Sequence, residues 1–353
     1  MTRFPTARIV WLAALTVAAS LPVAAIAAAP AAAATTYTVT GLGSLGLGSG
    51  PNGINATGEV TGNSSLTTLV PTPTCVPYHG HKPPCTEHPY HAFVWSNRTM
   101  TDLGTLGGNF SAGTAINAAG EVAGWSDTSA DTGQEAAVWN GQQWTALGVP
   151  QGSVATGIND SGQVVGSWSN VTTGSQPFLD SNGTITDLPE PGFVATSNLG
   201  CQADAVNNNA QIAGTCWGYN SKLSSVYLHL VLWQNGTVTD LGTISGVRGS
   251  AAAINGNGQI VGYGTATTGV TQGFLYSNGK MTNLGSFVPA AINDNGVMVG
   301  GQYIDSGGTI QNLNTLIPAG SPTIQDATGI NDNGQIITSA TGSTSGAVLL
   351  NPN

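Results

Sequence analysis

Beyond residue 34, short stretches of alternating apolar and polar residues recur along the whole chain, each interrupted by a turn signal. One recurring element reads apolar-Asn-x-x-Gly-x-apolar-x-Gly, most clearly at 158–166. Alternation is typical of half-buried strands, and an Asn-Asp-x-Gly turn suits a tight hairpin with a left-handed glycine. Each copy therefore predicts two antiparallel strands, a and b. The seven copies start at Ile54, Ile116, Ile158, Val206, Ile254, Ile292 and Ile330. Ala210 replaces the first glycine in the fourth copy, and Thr338 replaces the second glycine in the seventh.

A second recurring element follows the first and starts with an apolar, often aromatic, run. Examples span residues 93–104 and 178–188, and several copies end in Asp-Leu. Asn-Gly ahead of a Thr/Ile/Val run is a strong hairpin signal, so this element supplies strands c and d. One repeat is then four antiparallel strands, with a mean spacing of 46 residues between Ile54 and Ile330. Propeller blades have this length (about 40–50 residues).

The two ends of the chain predict how the repeats are arranged. The seventh repeat has no strand d after 347–350, and residues 38–43 match the missing strand. Pairing of these segments would close a ring and remove exposed sheet edges. We therefore predict an all-β fold, a seven-bladed β-propeller of four-stranded antiparallel blades, which we expect to be a monomer. An open β-helix is the alternative, although its repeats are shorter, and the same hairpins could be grouped differently into blades.

The composition excludes several classes of protein. Charged residues make up 7% of the 353 residues, glycine occurs 50 times, and the formal net charge is −10. Glycine disfavours helical arrays, because each one costs about 1 kcal/mol in a helix. Nucleic-acid binding needs clustered cations, and the sequence contains no basic patch. What remains is a glycine-rich β protein.

The first 34 residues have the pattern of a secretory signal peptide. Arg3 and Arg8 precede an apolar run that Pro22 interrupts, and small residues follow at 31–34. An uncleaved membrane anchor is the alternative, because the run approaches the roughly 20 residues that span a bilayer. No other segment is apolar enough to do so. We therefore expect a secreted protein with a signal peptide at 1–34 and one propeller domain of seven repeats at 35–353.

The tripeptide His91-Ala92-Phe93 resembles the motif that names the HAF-repeat family of probable extracellular proteins. Degenerate copies occupy 135–137, 176–178, 229–231 and 272–274. Together with the Ile-Asn-x-x-Gly and Thr-Asp-Leu-Gly elements, the resemblance covers nearly all of the mature chain. It implies a secreted repeat protein and supplies no catalytic residues.

Four cysteines in an exported chain predict two disulfides, Cys75–Cys85 and Cys201–Cys216. The second pair flanks the a–b hairpin of repeat four but is one residue out of step with its register, so the bond requires a small bulge. The segment around the first pair also contains His79, His81 and His88, which are candidate zinc or copper ligands. A disulfide-closed surface loop with solvated histidines is the alternative. His91 and His229 share a repeat position, which favours a structural role.

Recurrence also favours structural roles for several other residues. The carboxylates of Asp102, Asp187 and Asp240 share one strand position, which predicts bonds to a neighbouring turn. No catalytic or cofactor-binding motif occurs, so we expect no cofactor. The aromatic residues at one position of strand c are expected to form the core between blades: Trp95, Trp139, Trp233 and Tyr276.

The connections between strands b and c vary most among the repeats and predict a binding face, since ligand sites concentrate on variable loops. These connections run over 63–91, 125–135, 167–176, 215–229 and 263–272. The connection in repeat six almost vanishes, so we expect the loops of the binding face to project least on the side of blades six and seven. Five aromatic residues there are candidate contacts for a glycan or protein ligand, although packing between blades would also explain them: Trp125, Trp168, Trp217, Tyr219 and Tyr263. We predict a non-enzymatic binding or surface-interaction module; the alternatives are a propeller hydrolase or lyase acting on polysaccharide and a structural role in a cell envelope.

Overall fold

The computed structural model describes residues 35–71, 86–129, 133–170, 174–194, 199–220, 225–244, 248–266, 269–342 and 346–353. In this part of the chain, seven four-stranded antiparallel blades form a ring, which confirms the predicted seven-bladed β-propeller. Strand a of each blade lies innermost and contacts strand a of the next blade. No helix in the described ranges is long and apolar enough to cross a bilayer.

Within each blade the strands follow one another across the sheet from a to d. Blade 1 consists of β2 (Ser49–Ile54), β3 (Val60–Ser65), β6 (Tyr90–Ser96) and β7 (Thr99–Asp102). Blade 2 consists of β8 (Gly107–Ile116), β9 (Val122–Thr128), β10 (Gln134–Trp139) and β11 (Trp144–Ala146). Blade 3 consists of β12 (Ser153–Ile158), β13 (Val164–Asn170), β14 (Gly174–Ser181) and β15 (Thr184–Asp187). Blade 4 consists of β16 (Cys201–Val206), β17 (Ile212–Asn220), β18 (Ser225–Gln234) and β19 (Thr237–Gly242).

Blade 5 consists of β20 (Arg248–Ile254), β21 (Ile260–Thr265), β22 (Thr271–Ser277) and β23 (Lys280–Asn283). Blade 6 has shorter strands: β24 (Ala291–Ile292), β25 (Met298–Gly300), β26 (Tyr303–Ser306) and β27 (Thr309–Asn312), with a 3-10 turn at Leu313–Thr315. Blade 7 consists of β28 (Thr323–Ile330), β29 (Ile336–Thr341), β30 (Gly346–Pro352) and β1 (Tyr37–Gly41). A small hairpin, β4 (Val70–Pro71) and β5 (Thr86–Glu87), lies in the connection between β3 and β6.

The ring is closed by its two termini. Strand β1 pairs antiparallel with β30, from Tyr37 opposite Pro352 to Gly41 opposite Val348. Tyr37 is buried and its N–H donates to the carbonyl of Leu316, 2.8 Å away. The predicted closing strand is therefore confirmed.

The turns follow the predicted glycine chemistry. In the c–d hairpins, Asn182 and Gly183 both have positive φ (+53° and +78°), as a two-residue type I′ turn requires. In the a–b hairpins the glycine is also left-handed, as at Gly162 (φ +74°). In blade 4 this position is Ala210, which is held at φ +56°. A Cβ is disfavoured there, so Ala210 is a locally strained position.

The core consists of separate apolar clusters, most of which lie between neighbouring blades, as expected of a propeller. Trp95 and Trp233 are buried. Trp139 and Tyr276 are partly buried and pack against clusters that each contain residues of two neighbouring blades. The predicted inter-blade role of this strand c position is confirmed.

Candidate functional site

The propeller has two chemically different ends. We call the end formed by the a–b and c–d turns the turn face, and the end formed by the b–c loops and d–a connections the loop face. The first asparagine of each Asn-x-x-Gly turn lies on the turn face around the central axis. Each Nδ2 donates to the backbone carbonyl of the matching asparagine in the next blade, at 2.9–3.2 Å. The members of this asparagine ring are Asn55, Asn117, Asn159, Asn207, Asn255, Asn293 and Asn331.

The side chains of the asparagine ring form their hydrogen bonds with other groups of the protein. The Oδ1 of Asn159 accepts from the N–H groups of Ser161 (3.1 Å) and Gln163 (2.9 Å), and its second amide hydrogen goes to Gln163 Oε1 (2.8 Å). An asparagine side chain has two donors and one acceptor oxygen with two lone pairs, so all four bonds of Asn159 are made. The axial cavity of about 250 Å³ on this face is therefore bordered by groups that the fold already pairs.

The sequence predicted the turn at these asparagines but not the ring. The available signal was that asparagine recurs in all seven copies while the next residue varies among Ala, Asp, Asn and Gly. A turn alone tolerates Asp or Ser in place of Asn. An amide hydrogen donated to the next blade accounts for the stricter choice.

A second set of inter-blade hydrogen bonds lies deeper in the channel, where strand a bulges. Asn52 Nδ2 donates to the carbonyl of Gly113, and Thr114 Oγ1 donates to that of Ala155. Thr156 and Thr328 make the same bond to the carbonyls of Ala203 and Pro51.

Blade 4 departs from this set because its bulge residue is Asp204. Asp204 Oδ2 accepts from Thr215 Oγ1 at 2.8 Å. Burial raises the pKa of the Asp204 carboxyl to about 7, against the lowering effect of the Thr215 hydrogen bond. An ionised carboxylate has no hydrogen to donate to the next blade.

The two histidines of the HAF position are paired with the recurring aspartates. His91 Nδ1 lies 2.9 Å from Asp102 Oδ1, and His229 Nδ1 lies 2.9 Å from Asp240 Oδ1. Asp102 and Asp240 also accept from the backbone N–H two residues further on, at 2.8 Å. In blade 5, Gln272 and Asn283 occupy these positions and bond at 3.0 Å. Because an uncharged amide pair makes the same contact, the His–Asp pairs stabilise strands c and d, which confirms the structural role predicted for Asp102 and Asp240.

The predicted second disulfide is present, and the first lies outside the described residues. Cys201 is directly opposite Cys216 and bonded to it, and a bulge between Ala203 and Ala205 supplies the missing residue of register. Cys75, Cys85, His79 and His81 fall within 72–85, which the structure does not describe. Nδ1 of the exposed His88 lies 3.0 Å from the carbonyl oxygen of Thr68. The described ranges contain no group of three His, Cys, Asp or Glu residues that could hold a metal ion.

The predicted ligand-contacting aromatic residues lie on strand b, and their assignment to loops was wrong. Residues with high β-propensity continue each strand beyond the glycine at which we expected it to end. Trp125 and Trp168 pair within β9 and β13 and are partly buried, as is Trp217 in β17. Tyr219 and Tyr263 are each 44% exposed. Packing therefore accounts for part of the set, and the two tyrosines remain available to a ligand.

Two aromatic clusters lie near the loop face, and the sequence analysis predicted neither of them. Tyr90 lies 5.0 Å from Phe110 and 6.0 Å from Trp125, measured between ring centroids. Phe193 lies 4.8 Å from His229 and 5.7 Å from Tyr227. Tyr90 precedes His91 by one residue, and Tyr227 precedes His229 by two. The sequence alone does not show that Phe110 and Phe193 supply the partner rings.

Exposed apolar side chains are concentrated at the loop face. Among the described residues, seven large hydrophobic side chains are exposed, and six of them are at this end. The six are Leu47, Leu69, Tyr219, Tyr263, Val270 and Tyr303. The seventh, Ile310, lies on the outer strand of blade 6 beside a turn.

No protein-family model and no curated protein matches the sequence. Among solved structures, the β-propeller domain of the Trilobed protease from Pyrococcus furiosus aligns with a TM-score of 0.54 and 9% identity, over 86% of this chain and 95% of that domain. The Pyrococcus horikoshii acylaminoacyl peptidase aligns with a TM-score of 0.50 and 12% identity, over 90% of this chain and 52% of the peptidase, so this chain spans about half of its length. At these identities the likeness shows the propeller fold alone. The P. furiosus domain has an open velcro topology, whereas in this chain β1 and β30 close the ring.

Proposed function

We propose that this chain is a secreted, non-enzymatic propeller that binds an extracellular ligand, a glycan or a protein, through its loop face. The observation that carries the proposal is the one-sided distribution of exposed apolar side chains. Scattered surface hydrophobics are ordinary, whereas their concentration on one face marks an interaction surface. Tyr219, Tyr263 and Tyr303 lie on the consecutive blades 4, 5 and 6, so they offer stacking surfaces along one side of the ring.

The contacts of the recurring polar groups favour binding over catalysis. The asparagine ring is occupied by bonds between blades, and the His–Asp pairs stabilise strands and turns. A general acid or base needs hydrogen-bond reach to a substrate atom. The peptidases among the structural neighbours combine a propeller with further chain, and their likeness to this chain concerns the fold only.

Export is part of the proposal. The apolar residues 9–29 and the small residues at 31–34 support a signal peptide. The Cys201–Cys216 disulfide is consistent with an oxidising compartment. The resemblance to the HAF-repeat family supports the same location.

A binding screen run beside a hydrolysis assay tests the proposal. The full chain is applied to arrays of bacterial and plant cell-wall polysaccharides and extracellular proteins, and release of reducing sugar ends is measured in parallel. We expect retention of a ligand without turnover. The triple variant Tyr219→Ser, Tyr263→Ser, Tyr303→Ser should weaken retention at least tenfold, since aromatic contacts contribute about 1 kcal/mol each.

The matched control is Ile310→Ser, which removes an exposed apolar side chain away from the loop face. Retention by this variant should equal that of the unchanged protein. Turnover that disappears when one acidic residue is replaced would overturn the proposal in favour of an enzyme. Unaltered retention by the triple variant would show that the ligand binds elsewhere.

A further inference from the structure

Asparagine followed directly by glycine occurs nine times in the chain. In this dipeptide the glycine backbone nitrogen can attack the asparagine side-chain carbonyl carbon, because glycine has no side chain to hinder the approach. Five of these asparagines are exposed at the turn face and form two sets. Asn235 and Asn278 lie in the c–d hairpins of blades 4 and 5, whereas Asn257, Asn295 and Asn333 lie in the a–b hairpins of blades 5, 6 and 7.

In the three a–b hairpins, both reacting groups are held by hydrogen bonds. Each asparagine donates a side-chain Nδ2 hydrogen to a backbone carbonyl of the next blade, at 2.7–3.1 Å. The N–H of the glycine that follows donates to the backbone carbonyl of the ring asparagine in the same turn, at 3.0 Å. In blade 7, for example, Asn333 donates to Ala56 and the Gly334 N–H donates to Asn331. Both bonds must break before the glycine nitrogen can reach the side chain.

In the c–d hairpins of blades 4 and 5, both reacting groups are free. In the described part of the chain, no hydrogen bond involves the side chain of Asn235 or Asn278, or the N–H of Gly236 or Gly279. Both asparagines are held at φ +52°, a left-handed conformation that costs free energy for a residue with a Cβ. Leaving this conformation, as ring closure requires, therefore relieves strain.

The two kinds of hairpin also differ in what must move when the turn opens. Local opening is least costly where few contacts have to break. An a–b turn is bonded to the next blade, whereas a c–d turn connects only the two outer strands of its own blade. Two additional hydrogen bonds of ordinary net strength reduce the population of the open turn by at least about tenfold. The same dipeptide should therefore react at different rates in the two settings.

We propose that Asn235 and Asn278 are sites of spontaneous modification, converted to aspartate and isoaspartate, and that the inter-blade bonds protect the same dipeptide in the a–b hairpins. The glycine nitrogen bonds to the asparagine Cγ, the Cγ–Nδ2 bond breaks, and ammonia leaves with the proton of the glycine N–H. Water then opens the cyclic imide: its hydroxyl group bonds to one of the two carbonyl carbons and its proton goes to the released nitrogen. Each event adds a carboxylate, and hence a negative charge at neutral pH, to the turn face.

The modification is independent of the ligand function proposed for the loop face. Its test is incubation of the full chain in H₂¹⁸O at mildly alkaline pH, followed by mass spectrometry of chymotryptic peptides. We expect Asn235 and Asn278 to incorporate the heavy oxygen at least tenfold faster than Asn257, Asn295 and Asn333. The control is the same incubation in urea, where the unfolded chain should react at similar rates at all five sites, since each is followed by glycine.

The variant Asn331→Ala removes the side-chain bonds that hold the a–b turn of blade 7. We expect it to raise the rate at Asn333 severalfold and to leave the rate at Asn235 unchanged. Gln142→Ala, at an exposed turn residue of blade 2, should alter neither rate.

Equal rates in the two kinds of hairpin of the folded chain would overturn the proposal. A tenfold difference that persists in urea would overturn it as well, because the neighbouring sequence would then be its cause. An unchanged rate at Asn333 in folded Asn331→Ala protein would contradict protection by the inter-blade bonds. If that variant does not fold, the comparison of the native chain with the chain in urea still decides.

Discussion

The turn face and the loop face are built from the same seven repeats, yet they differ in whether their recurring polar groups form hydrogen bonds between blades. At the turn face, each asparagine of the ring bonds to the next blade, so the seven turns are connected in a closed cycle. At the loop face, connections differ in length, and six of the described apolar side chains stay exposed to solvent.

The difference shows how a repeat protein can separate stability from recognition. Recurring residues at the turn face satisfy each other between blades, and substitutions there change the shared framework. Loop-face residues vary from blade to blade without disturbing that framework. Binding sites are commonly carried on loops held by a rigid scaffold.

The largest expected effect comes from breaking the asparagine ring with Asn159→Ala. The change removes two donated and two accepted hydrogen bonds of a buried side chain. Buried groups that lose a partner cost about 1–3 kcal/mol each, so we expect a loss of about 4–5 kcal/mol in the free energy of unfolding. Urea denaturation measures it.

Gln142→Ala, at an exposed turn residue of blade 2, is the control and should change stability by less than about 0.5 kcal/mol. Folded Asn159→Ala protein should retain loop-face binding. A stability close to that of the control would mean that the ring contributes little.

Next in size is the pH dependence that Asp204 introduces below the ring. The carboxyl of Asp204 has a pKa of about 7 in the folded chain, well above the value of about 3.9 in an unfolded one. The folded state therefore binds the proton more tightly, and the contribution is fully present below pH 4 and is lost as the pH rises to 7. We expect it to amount to about 3–4 kcal/mol, measured by denaturation from pH 4 to 8.

Asp204→Asn should remove most of this dependence and stabilise the protein above pH 7. Its amide can donate to the next blade as Asn52 does to Gly113. A variant that keeps the same slope between pH 4 and 7 would assign the dependence to other groups.

Removing the Cys201–Cys216 disulfide tests how much a covalent bond at the loop-face end of blade 4 contributes to the free energy of unfolding. Cys201 and Cys216 are 15 residues apart, and a loop of this length corresponds to about 3 kcal/mol in chain entropy. The double variant Cys201→Ala, Cys216→Ala should lose about that amount, and dithiothreitol should lower its stability by about 3 kcal/mol less than it lowers that of the unchanged protein. If reductant lowers the stability of the double variant as much as that of the unchanged protein, the Cys201–Cys216 bond is not the source of the effect.

The smallest effect is a gain at the turn face of the same blade. Ala210 has φ +56° and occupies the position that is a glycine with positive φ in the other six a–b turns. Ala210→Gly should stabilise the protein by about 1 kcal/mol, because the left-handed conformation costs a Cβ-bearing residue about that much. Ala119→Gly, at an exposed position of the blade 2 turn, is the control and should give no gain. A loss of stability in Ala210→Gly would show that the strain is absent.

The sequence was sufficient to predict the blades because hairpin signals are local. Asn182-Gly183 and the left-handed Gly162 specify their turns without help from the rest of the chain, and the matching ends predicted the pairing of β1 with β30. Even the offset between Cys201 and Cys216 predicted the bulge that the structure contains.

The contacts between blades could not be predicted from local sequence signals. The bond from Asn159 to Asn207 joins residues 48 positions apart and depends on the rotation between blades. The glycine before Trp125 and the glycine before Tyr263 predict the end of strand b, whereas tertiary pairing continues the strand through both residues.

The pairing of β1 with β30 has a consequence for how the molecule is made. Thr38 and Asn351 are 313 residues apart, so the first strand of the propeller remains without its neighbour until the last strand of blade 7 has been synthesised. During that interval, β1 of one molecule is available to the last blade of another. Refolding at high protein concentration should therefore produce strand-exchanged dimers, and dilution should suppress them.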